Sequence, residues 1–507
     1  MDALSQLYDF WWLLASAMLA LYVSRKIQTY QRLSAFKGPL GVGLTEFWHS
    51  WAFLSWKSHL WYKEVCDRYG PIARVGPNDL ITSLPELLTH MSAVRSPYTR
   101  SAWYNRATRY QPGKDHVFSE LDEEKHKQRR QQMAHGYSGK ENLALESSID
   151  IHVDELIQLI RSKYLSTDTH SKPMDFARKI QYFTLDVISD VGFGEPFGDL
   201  RMDQDVNEYA KAGEIGLTVT TIGLALGLTW FLQLPLVARI LGPSENDVVG
   251  FGRMIRNARS IIETRLKRET LDRSDMLASF VRHGLNAEDL LSETVLQIIA
   301  GSDTTASALR GIMLYLLSHP RVYSKLQAEI DVAVRKGYQG IIPDSEVRKL
   351  RYLQAVIKEG LRIHPPVTDS VPKRVPDGGD TVVVDGKPIF LPGGTNISYA
   401  AWPLHLSKAT FGEDAEEFRP ERWLLEKDEK KMSEMNRTHE LIFGYGKYQC
   451  LGKSVALMEI GKVVFELVHH FDWCISKPEM PWKEHNCIGL FTHSDMWVLA
   501  TERRVDI

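Results

Sequence analysis

The residue with the most distinctive chemical setting is Cys450, in the glycine-rich segment FGYGKYQCLG at 443–452. A helical pattern begins next to this cysteine, and a helix N-terminus stabilises a thiolate through its dipole and its free backbone N–H groups. Such a thiolate can bind a metal ion that the N–H groups then tune. Gly446 and Gly452 leave room for a flat cofactor near the backbone, and Phe443 can shield the sulfur. The alternative is a buried structural cysteine, which is the usual role of an isolated one.

A second candidate for chemistry is the polar group AGSDTT at 300–305, in the middle of a long apolar helical pattern. The Thr304 hydroxyl is expected to donate to the carbonyl of Ala300, four residues back. Asp303 and Thr304 can then move protons as an acid–base pair. The alternative is a kinked helix with solvated polar residues.

Three further charged patterns have the spacing of helix neighbours or of ion pairs. His126 and Arg130 lie one helical turn apart and can contact the same acidic group. Glu359 and Arg362 are three residues apart, and Arg422 follows in the segment FRPERW. Each pattern alone is more often an exposed ion pair or a solvated charge.

The cysteine segment resembles the haem-binding loop of the cytochrome P-450 superfamily, F-x-x-G-x-[R/H]-x-C-x-G. One position departs from it: Tyr448 stands where the family has Arg or His paired with a haem propionate. Lys447 is a candidate substitute for that charge. The H-x-x-x-R, AGSDTT, EGLR and PERW motifs precede the loop in the family's order, so the resemblance covers nearly the whole chain.

The resemblance implies haem b, with Cys450 as the axial thiolate ligand of the iron. It also implies that Asp303 and Thr304 deliver protons to dioxygen during catalysis. The cofactor-binding residues that it implies are Cys450, His126, Arg130, Arg374, Phe443, Gly446 and Gly452. It further implies a buried structural network formed by Glu359, Arg362 and Arg422.

The resemblance predicts a monooxygenase that uses O2, and NADPH through a separate NADPH–cytochrome P-450 reductase. The glycine string at 192–198 lacks the βαβ context of a nucleotide site, so no flavin or nicotinamide domain is predicted. The sequence as a whole resembles fungal pisatin-demethylase-like enzymes. This resemblance implies that the substrate is a lipophilic terpenoid or polyketide intermediate of secondary metabolism. The alternatives are a haem-thiolate isomerase or dehydratase, and a non-enzymatic, membrane-bound carrier of lipophiles.

The same resemblance implies an apolar substrate pocket built from several segments. Its predicted walls are residues 104–118, Val295, Leu296, Ile299, residues 368–371, Leu490 and Phe491. A basic docking face for an acidic reductase is expected at Lys125, Lys127, Arg129 and Lys453.

The N-terminus contains 14 consecutive uncharged residues, from Phe10 to Val23, followed by Arg25 and Lys26. Basic residues after the apolar run favour an uncleaved membrane anchor with the rest of the chain in the cytosol. We therefore expect a single transmembrane helix within residues 1–26, in the endoplasmic reticulum membrane. The alternative is an amphipathic helix lying on the membrane surface.

Composition agrees with one large, mainly helical enzyme. The 507 residues carry a formal net charge of −3, which gives no electrostatic case for nucleic acid. The four cysteines form no CxxC pair, which argues against a disulfide framework and against a structural zinc site. Helical patterns fill residues 61–335 and short β-prone runs occupy 372–396. The prediction is an α+β fold, mainly α with a small β-sheet subdomain, in which a Gly/Pro hinge and linker at 27–60 precedes a monomeric catalytic domain at 61–507.

Overall fold

The structure is a computed structural model that describes the chain between residues 2 and 504, apart from two internal gaps. Only the backbone is described for residues 2–9 and for Ser370. Outside the described residues lie Met1, Pro112, 268–273 and 505–507, which include the outer ends of the predicted anchor and catalytic domain.

Helices make up most of the chain, as predicted. The first part contains α1 (Asp2–Arg32), α2 (Phe47–Leu54), α3 (Ser58–Tyr69), α4 (Pro85–Ser92), α5 (Ala102–Ala107), α6 (Glu123–Tyr137), α7 (Leu145–Leu159), α8 (Phe176–Phe193), α9 (Asp199–Met202), α10 (Tyr209–Ala225), α11 (Thr229–Leu232) and α12 (Pro235–Leu241). The second part contains α13 (Gly250–Lys267), α14 (Met276–Arg282), α15 (Ala287–Ser318), α16 (Pro320–Val334), α17 (Asp344–Val347), α18 (Arg351–Ile363), α19 (Ala401–His405), α20 (Lys408–Phe411), α21 (Arg422–Leu425), α22 (Glu429–Glu440) and α23 (Lys453–His470).

The strands form small sheets at the edge of the helical body. They are β1 (Ile72–Arg74), β2 (Asp79–Thr82), β3 (Thr99–Arg100), β4 (Met174–Asp175), β5 (Asp369–Arg374), β6 (Asp380–Val384), β7 (Lys387–Leu391), β8 (Asn396–Ala400), β9 (Phe471–Ile475), β10 (Lys483–Cys487), β11 (Leu490–Ser494) and β12 (Trp497–Glu502). A five-stranded sheet has the order β1-β2-β8-β5-β3, and a three-stranded sheet has the order β4-β12-β9. The pairs β6-β7 and β10-β11 are hairpins. The predicted fold class, mainly α with a small β-sheet part, is confirmed.

Helix α15 organises the core because most of its residues are buried along its whole length. Its N-terminus is capped by the Asn286 side chain, which accepts from the N–H of Asp289, and acidic residues in the first turn suit the helix dipole. The helix packs against α8, α13, α18 and α23. It therefore carries the polar residues 300–305 through the centre of the molecule.

The transmembrane prediction for residues 1–26 is not met. Among the described residues, no helix is both long enough and apolar enough to cross a membrane. The uncharged run from Phe10 to Val23 falls short of the roughly 20 apolar residues that a span requires, and α1 continues past it into charged residues as far as Arg32.

The segment 27–60, expected to be a hinge and linker, packs onto the body instead. Leu33 is fully buried in a cluster with the five-stranded sheet. The Arg74 guanidinium donates to the carbonyls of Thr29 and Tyr30, and Arg32 donates to Gly393 at 2.8 Å. These contacts join the end of α1 to the sheet that carries part of the site.

Candidate active site

The Cys450 thiol lies deep in the protein and is nevertheless accessible, so it faces an internal cavity. The Cys450 N–H donates to the Phe443 carbonyl at 2.7 Å, which closes the loop just before α23. Burial raises the pKa of Cys450, whereas hydrogen bonds from the N–H groups of Gly452 and Lys453 and the charge of Arg130 act against that shift. The predicted arrangement of sulfur, helix N-terminus and free N–H groups is present.

Gly446 and Gly452 of the cysteine loop are glycines for different physical reasons. A Cβ on Gly446 would lie 2.2 Å from the Ser92 carbonyl oxygen, and Gly446 has a positive φ of 56°. The α4 backbone therefore requires a glycine at position 446. A Cβ on Gly452 would meet only Cys450 Sγ and Tyr137, both at 3.9 Å, so Gly452 leaves the space beside the sulfur open.

One face of α15 borders the cavity. Leu296, Ala300 and Thr304 are spaced four residues apart and are accessible, although most of the helix is buried. Thr304 Oγ1 donates to the Ala300 carbonyl at 2.8 Å, which is the bond that the sequence spacing predicts. Of the expected pocket residues on this helix, Val295 and Ile299 are buried in the core instead.

Asp303 belongs to a hydrogen-bond chain that sequence patterns do not reveal. Gln181 Nε2 donates to Asp303 Oδ1 at 2.8 Å, and Arg310 Nη2 donates to Gln181 Oε1 at 2.7 Å. Burial raises the pKa of Asp303 to about 6, although Arg310 and the Gln181 hydrogen bond lower it in part. A carboxyl group with a pKa near neutrality can both take up and release a proton.

Two buried cations face each other across strands β3 and β5. Arg100 and Lys373 are register partners, and both are almost fully buried. Lys373 Nζ has no hydrogen-bond partner in the described part of the chain. Burial, and then the charge of Arg100, lower the pKa of Lys373 well below its ordinary value. A buried ammonium without an anion is costly, so this position favours the binding of an acidic group.

Arg374, the residue predicted to hold a propionate, points away from this pocket. Its side chain is 46% exposed and pairs with Asp377 at 2.7 Å. Neighbouring residues of a strand point to opposite faces of the sheet, so the inward position belongs to Lys373. Lys373, one residue before Arg374, is therefore the better-placed candidate to contact an acidic ligand.

Tyr448, the departure from the family motif, lies under these cations. Lys373 Nζ is 3.5 Å from the centroid of its ring, and the Arg100 guanidinium is 4.7 Å from it. The Tyr448 hydroxyl donates to Glu123. Lys447, the proposed substitute charge, donates to the carbonyls of Ser96 and Tyr98 and pairs with Glu123. Lys373 and Arg100 therefore supply the cations closest to Tyr448, and Lys447 Nζ lies farther away, at 5.1 Å from the ring centroid.

His126 and Arg130 extend the same basic pocket from helix α6. His126 Nε2 lies 3.0 Å from Arg100 Nη2, so the imidazole accepts from the guanidinium. Burial and then Arg100 lower the pKa of His126 to about 2, which keeps the ring neutral. Arg130 has Cys450 and Tyr137 as electrostatic neighbours, and no carboxylate within the described residues pairs with it. The buried Lys373 and the unpaired Arg130 thus fit a ligand that carries carboxylates and reaches the thiol.

The predicted structural network is assembled behind the cysteine loop. Both oxygens of Glu359 accept from Arg362, at 2.8 and 2.9 Å, and Arg422 Nε donates to Oε1 at 2.8 Å. Trp423 Nε1 donates to Oε2 at 2.9 Å. Arg362 also donates to three backbone carbonyls between 405 and 417. The network therefore joins α18 to the irregular segment that leads to the loop.

An apolar cluster forms the predicted substrate side of the site. Tyr104, Phe118, Val371 and Leu490 come from the predicted walls. Helix α10 and the β10–β11 turn add residues that the sequence did not identify, namely Leu217, Leu224 and Ile488. Phe491 instead packs on His59 and His364, outside this cluster.

Comparison with known proteins decides the family. The model of the family described as Cytochrome P450 matches residues 43–496. The chain belongs to the cytochrome P450 family. The match includes the accessible cysteine, the α15 face and the buried basic pocket.

Three relatives are similar to this P450 over most of their length. It is 41% identical to "Cytochrome P450 monooxygenase ABA1" of Pyricularia oryzae (strain 70-15) over 503 residues, which cover 97% of this chain and 96% of the relative. It is 37% identical to "Cytochrome P450 monooxygenase aba1" of Botryotinia fuckeliana (strain B05.10), covering 90% and 89%. A "Cytochrome P450 monooxygenase" of Aspergillus terreus is 31% identical, covering 89% and 92%. The predicted enzyme class, cytochrome P450 monooxygenase, is thereby confirmed.

Proposed function

We propose that this P450 inserts one oxygen atom from O2 into an apolar small molecule, with electrons from NADPH supplied by a separate flavin reductase. The observation that carries the proposal is the accessible Cys450 thiol together with the Asp303–Thr304 pair on a cavity-facing helix. Bound haem would supply the iron at which oxygen is activated, with Cys450 as its ligand.

The chain's own residues hold the cofactor by charge. Within the described residues, Arg130 pairs with no carboxylate and Lys373 Nζ has no hydrogen-bond partner, so these two cations of the basic pocket are assigned to the haem carboxylates. His126 accepts from Arg100 and fixes the direction of its guanidinium. Arg100 and Lys373 lie over the Tyr448 ring and form cation–π contacts with it. These contacts stabilise the two cations without a carboxylate.

Proton delivery is assigned to Asp303 and Thr304. The Thr304 hydroxyl is fixed by its bond to Ala300 and can still accept a proton from the cavity side. The pKa of Asp303, raised to about 6 by burial, lets this carboxyl exchange protons near neutral pH. Gln181 and Arg310 position the carboxyl group on the far side of the helix.

The substrate proposed is a lipophilic terpenoid or polyketide intermediate of fungal secondary metabolism. The cluster around Tyr104, Leu217 and Ile488 offers mainly apolar surface, and the Tyr104 hydroxyl already donates to the Ile488 carbonyl. Shape and apolar contact therefore dominate recognition.

The test is turnover of haem-loaded protein with reductase, NADPH and a panel of such compounds. An oxygenated product that incorporates label from ¹⁸O₂ supports the proposal. Product formed without NADPH would favour the isomerase or dehydratase alternative. Substrate binding without NADPH consumption, in protein with the full complement of haem, would favour the lipophile carrier.

A membrane-surface location is part of the proposal. The apolar side chains of α1 from Phe10 to Val23 are exposed. Helix α2 and the segment 226–241 form a second exposed apolar patch. The two are adjacent, since the Ser50 hydroxyl of α2 donates to the Ala225 carbonyl at 2.6 Å. Its exposed members are Phe47, Trp51, Leu54, Leu226, Leu228, Trp230, Phe231, Leu234, Leu236, Ile240 and Leu241. Exposed apolar area of this extent suits the surface of the endoplasmic reticulum membrane.

The reductase is expected to bind near the start of α6. Lys125 and Lys127 are exposed there. Arg129, expected on the same face, is instead turned inward and pairs with Asp289 and Glu293. The proposed docking face is therefore smaller than the set of basic residues predicted from the sequence. Increasing salt should weaken the reductase's apparent affinity, and Lys127→Glu should weaken it further.

A further inference from the structure

Three histidines converge on one carboxylate beneath the β10–β11 hairpin. His364 Nε2 lies 3.1 Å and His493 Nε2 lies 3.2 Å from Glu484 Oε2. His59 Nε2 lies 3.8 Å from the other oxygen, Oε1. Helix α3, the end of α18 and the hairpin each contribute to this histidine cluster.

His59 lies at the edge of the cluster. It is 2% exposed, and its Nε2 is too far from Glu484 to form a hydrogen bond. In the described part of the chain, Nδ1 has no partner in His59, His364 or His493. Protein contacts alone therefore leave three buried ring nitrogens unsatisfied, although His364 and His493 each contact Glu484 through Nε2.

The separations suit metal ligands. Zinc bonds of about 2.0–2.1 Å in a tetrahedral site place the ligand atoms roughly 3.3–3.4 Å apart. The two histidine–glutamate separations, 3.1 and 3.2 Å, are close to that value. The ligand atoms of His364, Glu484 and His493 all lie within 4.8 Å of one another.

The cluster is open to an ion from one side. The Glu484 side chain is 21% exposed, whereas His364 and His493 are buried, so an ion can enter past the carboxylate.

We propose that His364, Glu484 and His493 form a site for a divalent transition metal, with Zn²⁺ as the ion that best matches two imidazoles and one carboxylate. The site is separate from Cys450 and does not depend on haem. Three protein ligands leave the fourth position of a tetrahedral ion to water or another small ligand.

The ion would fix the hairpin that borders the apolar cluster. Between β10 and β11 lie Ile488, a member of that cluster, and Gly489, whose carbonyl accepts from the N–H of Thr368 at 2.9 Å. Rings packed around the ligands hold them in place, such as Phe491 on His364 at 4.6 Å and Trp482 on His493 at 4.4 Å. Sequence spacing could not reveal the site, because its ligands come from two distant segments.

The test uses the full-length, haem-loaded protein, stripped with EDTA and titrated with Zn²⁺ in equilibrium dialysis. Wild type should bind one Zn²⁺ tightly, and His493→Gln and Glu484→Gln should each weaken binding at least about tenfold. His283→Gln is the matched control, because His283 also pairs with a glutamate, Glu141 at 2.8 Å, in a more exposed cluster. It should bind Zn²⁺ as wild type does.

Two results would overturn the proposal: no saturable Zn²⁺ binding by wild type, or loss of binding in His283→Gln and not in His493→Gln. If the cluster variants fail to fold, zinc-edge X-ray absorption on wild type still decides. An imidazole-rich nitrogen and oxygen shell supports the site, and a shell that contains sulfur excludes it.

Discussion

At the scale of single residues, the site depends on which side chains face inward. Lys373 is buried without a partner, whereas its neighbour Arg374 is exposed and paired. Charged hydrogen bonds contribute about 1.5–3 kcal/mol. Lys373→Met should therefore weaken haem retention by roughly ten- to a hundredfold, whereas Arg374→Met should leave it unchanged. Haem transfer to a scavenging apoprotein measures both, and equal effects would show that the assignment of Lys373 is wrong.

Tyr448 gives a second prediction at this scale. Restoring the family's arginine, Tyr448→Arg, would place a third cation beside Lys373 and Arg100, which already lie 3.5 and 4.7 Å from the tyrosine ring. We expect a lower melting temperature in Tyr448→Arg and partial recovery in the double variant with Lys373→Met. The coupling between the two substitutions is the measured quantity. If the two substitutions change the melting temperature in a purely additive way, position 448 and Lys373 do not interact as members of one cation cluster.

The third prediction concerns pH. Burial raises the pKa of Asp303 to about 6, and the Gln181 hydrogen bond lowers it in part. Removing that donor with Gln181→Met should raise the pKa further, so the pH–rate limb near 6 should move to higher pH. Asp303→Asn should abolish the limb and reduce turnover by about 10²-fold or more. Pre-steady-state product formation across pH measures the limb, and an unmoved limb in Gln181→Met would argue against Asp303 as its source.

At the scale of secondary-structure elements, contacts between neighbours on one helix could be predicted from the sequence. Which side chains of strand β5 point toward the site could not. Thr304 and Ala300, and Glu359 and Arg362, follow from the helical repeat. The facing of β5 depends on its register with β3 and β8 and on an irregularity between Ser370 and Lys373, which no local pattern shows. Arg100, Gln181 and Arg310 reach the site only through tertiary packing, so no local pattern indicated them.

The buried network is the element-scale test. Arg362→Lys keeps the charge but loses the planar fork that holds Glu359 and three carbonyls. Disrupting a buried pair costs about 3–5 kcal/mol, so a large loss in unfolding free energy and in haem content is expected. The control Arg348→Lys alters a pair with Asp344 in which the arginine side chain is 59% exposed, and it should cost less than about 1 kcal/mol. Chemical denaturation compares the two, and equal losses would contradict the special role of Arg362.

At the scale of the whole molecule, membrane association should follow the exposed apolar patch. Trp230→Glu combined with Leu236→Glu should reduce co-sedimentation of the full chain with phospholipid vesicles, because both side chains are exposed. Val332→Glu is the control, since Val332 is equally exposed on α16 and lies outside the patch. Unchanged binding in the double variant would place the contact with lipid elsewhere.

Whether Cys450 is the ligand of a haem iron can be read directly from an absorption spectrum. The absorption spectrum of the dithionite-reduced, carbon-monoxide-bound protein should show the strongly red-shifted Soret band of thiolate ligation in wild type. Cys450→Ala should lose that band, and Cys474→Ala, which removes a distant exposed cysteine, should keep it. An unshifted band in folded, haem-loaded wild type, or a shifted band that survives in Cys450→Ala, would contradict the account.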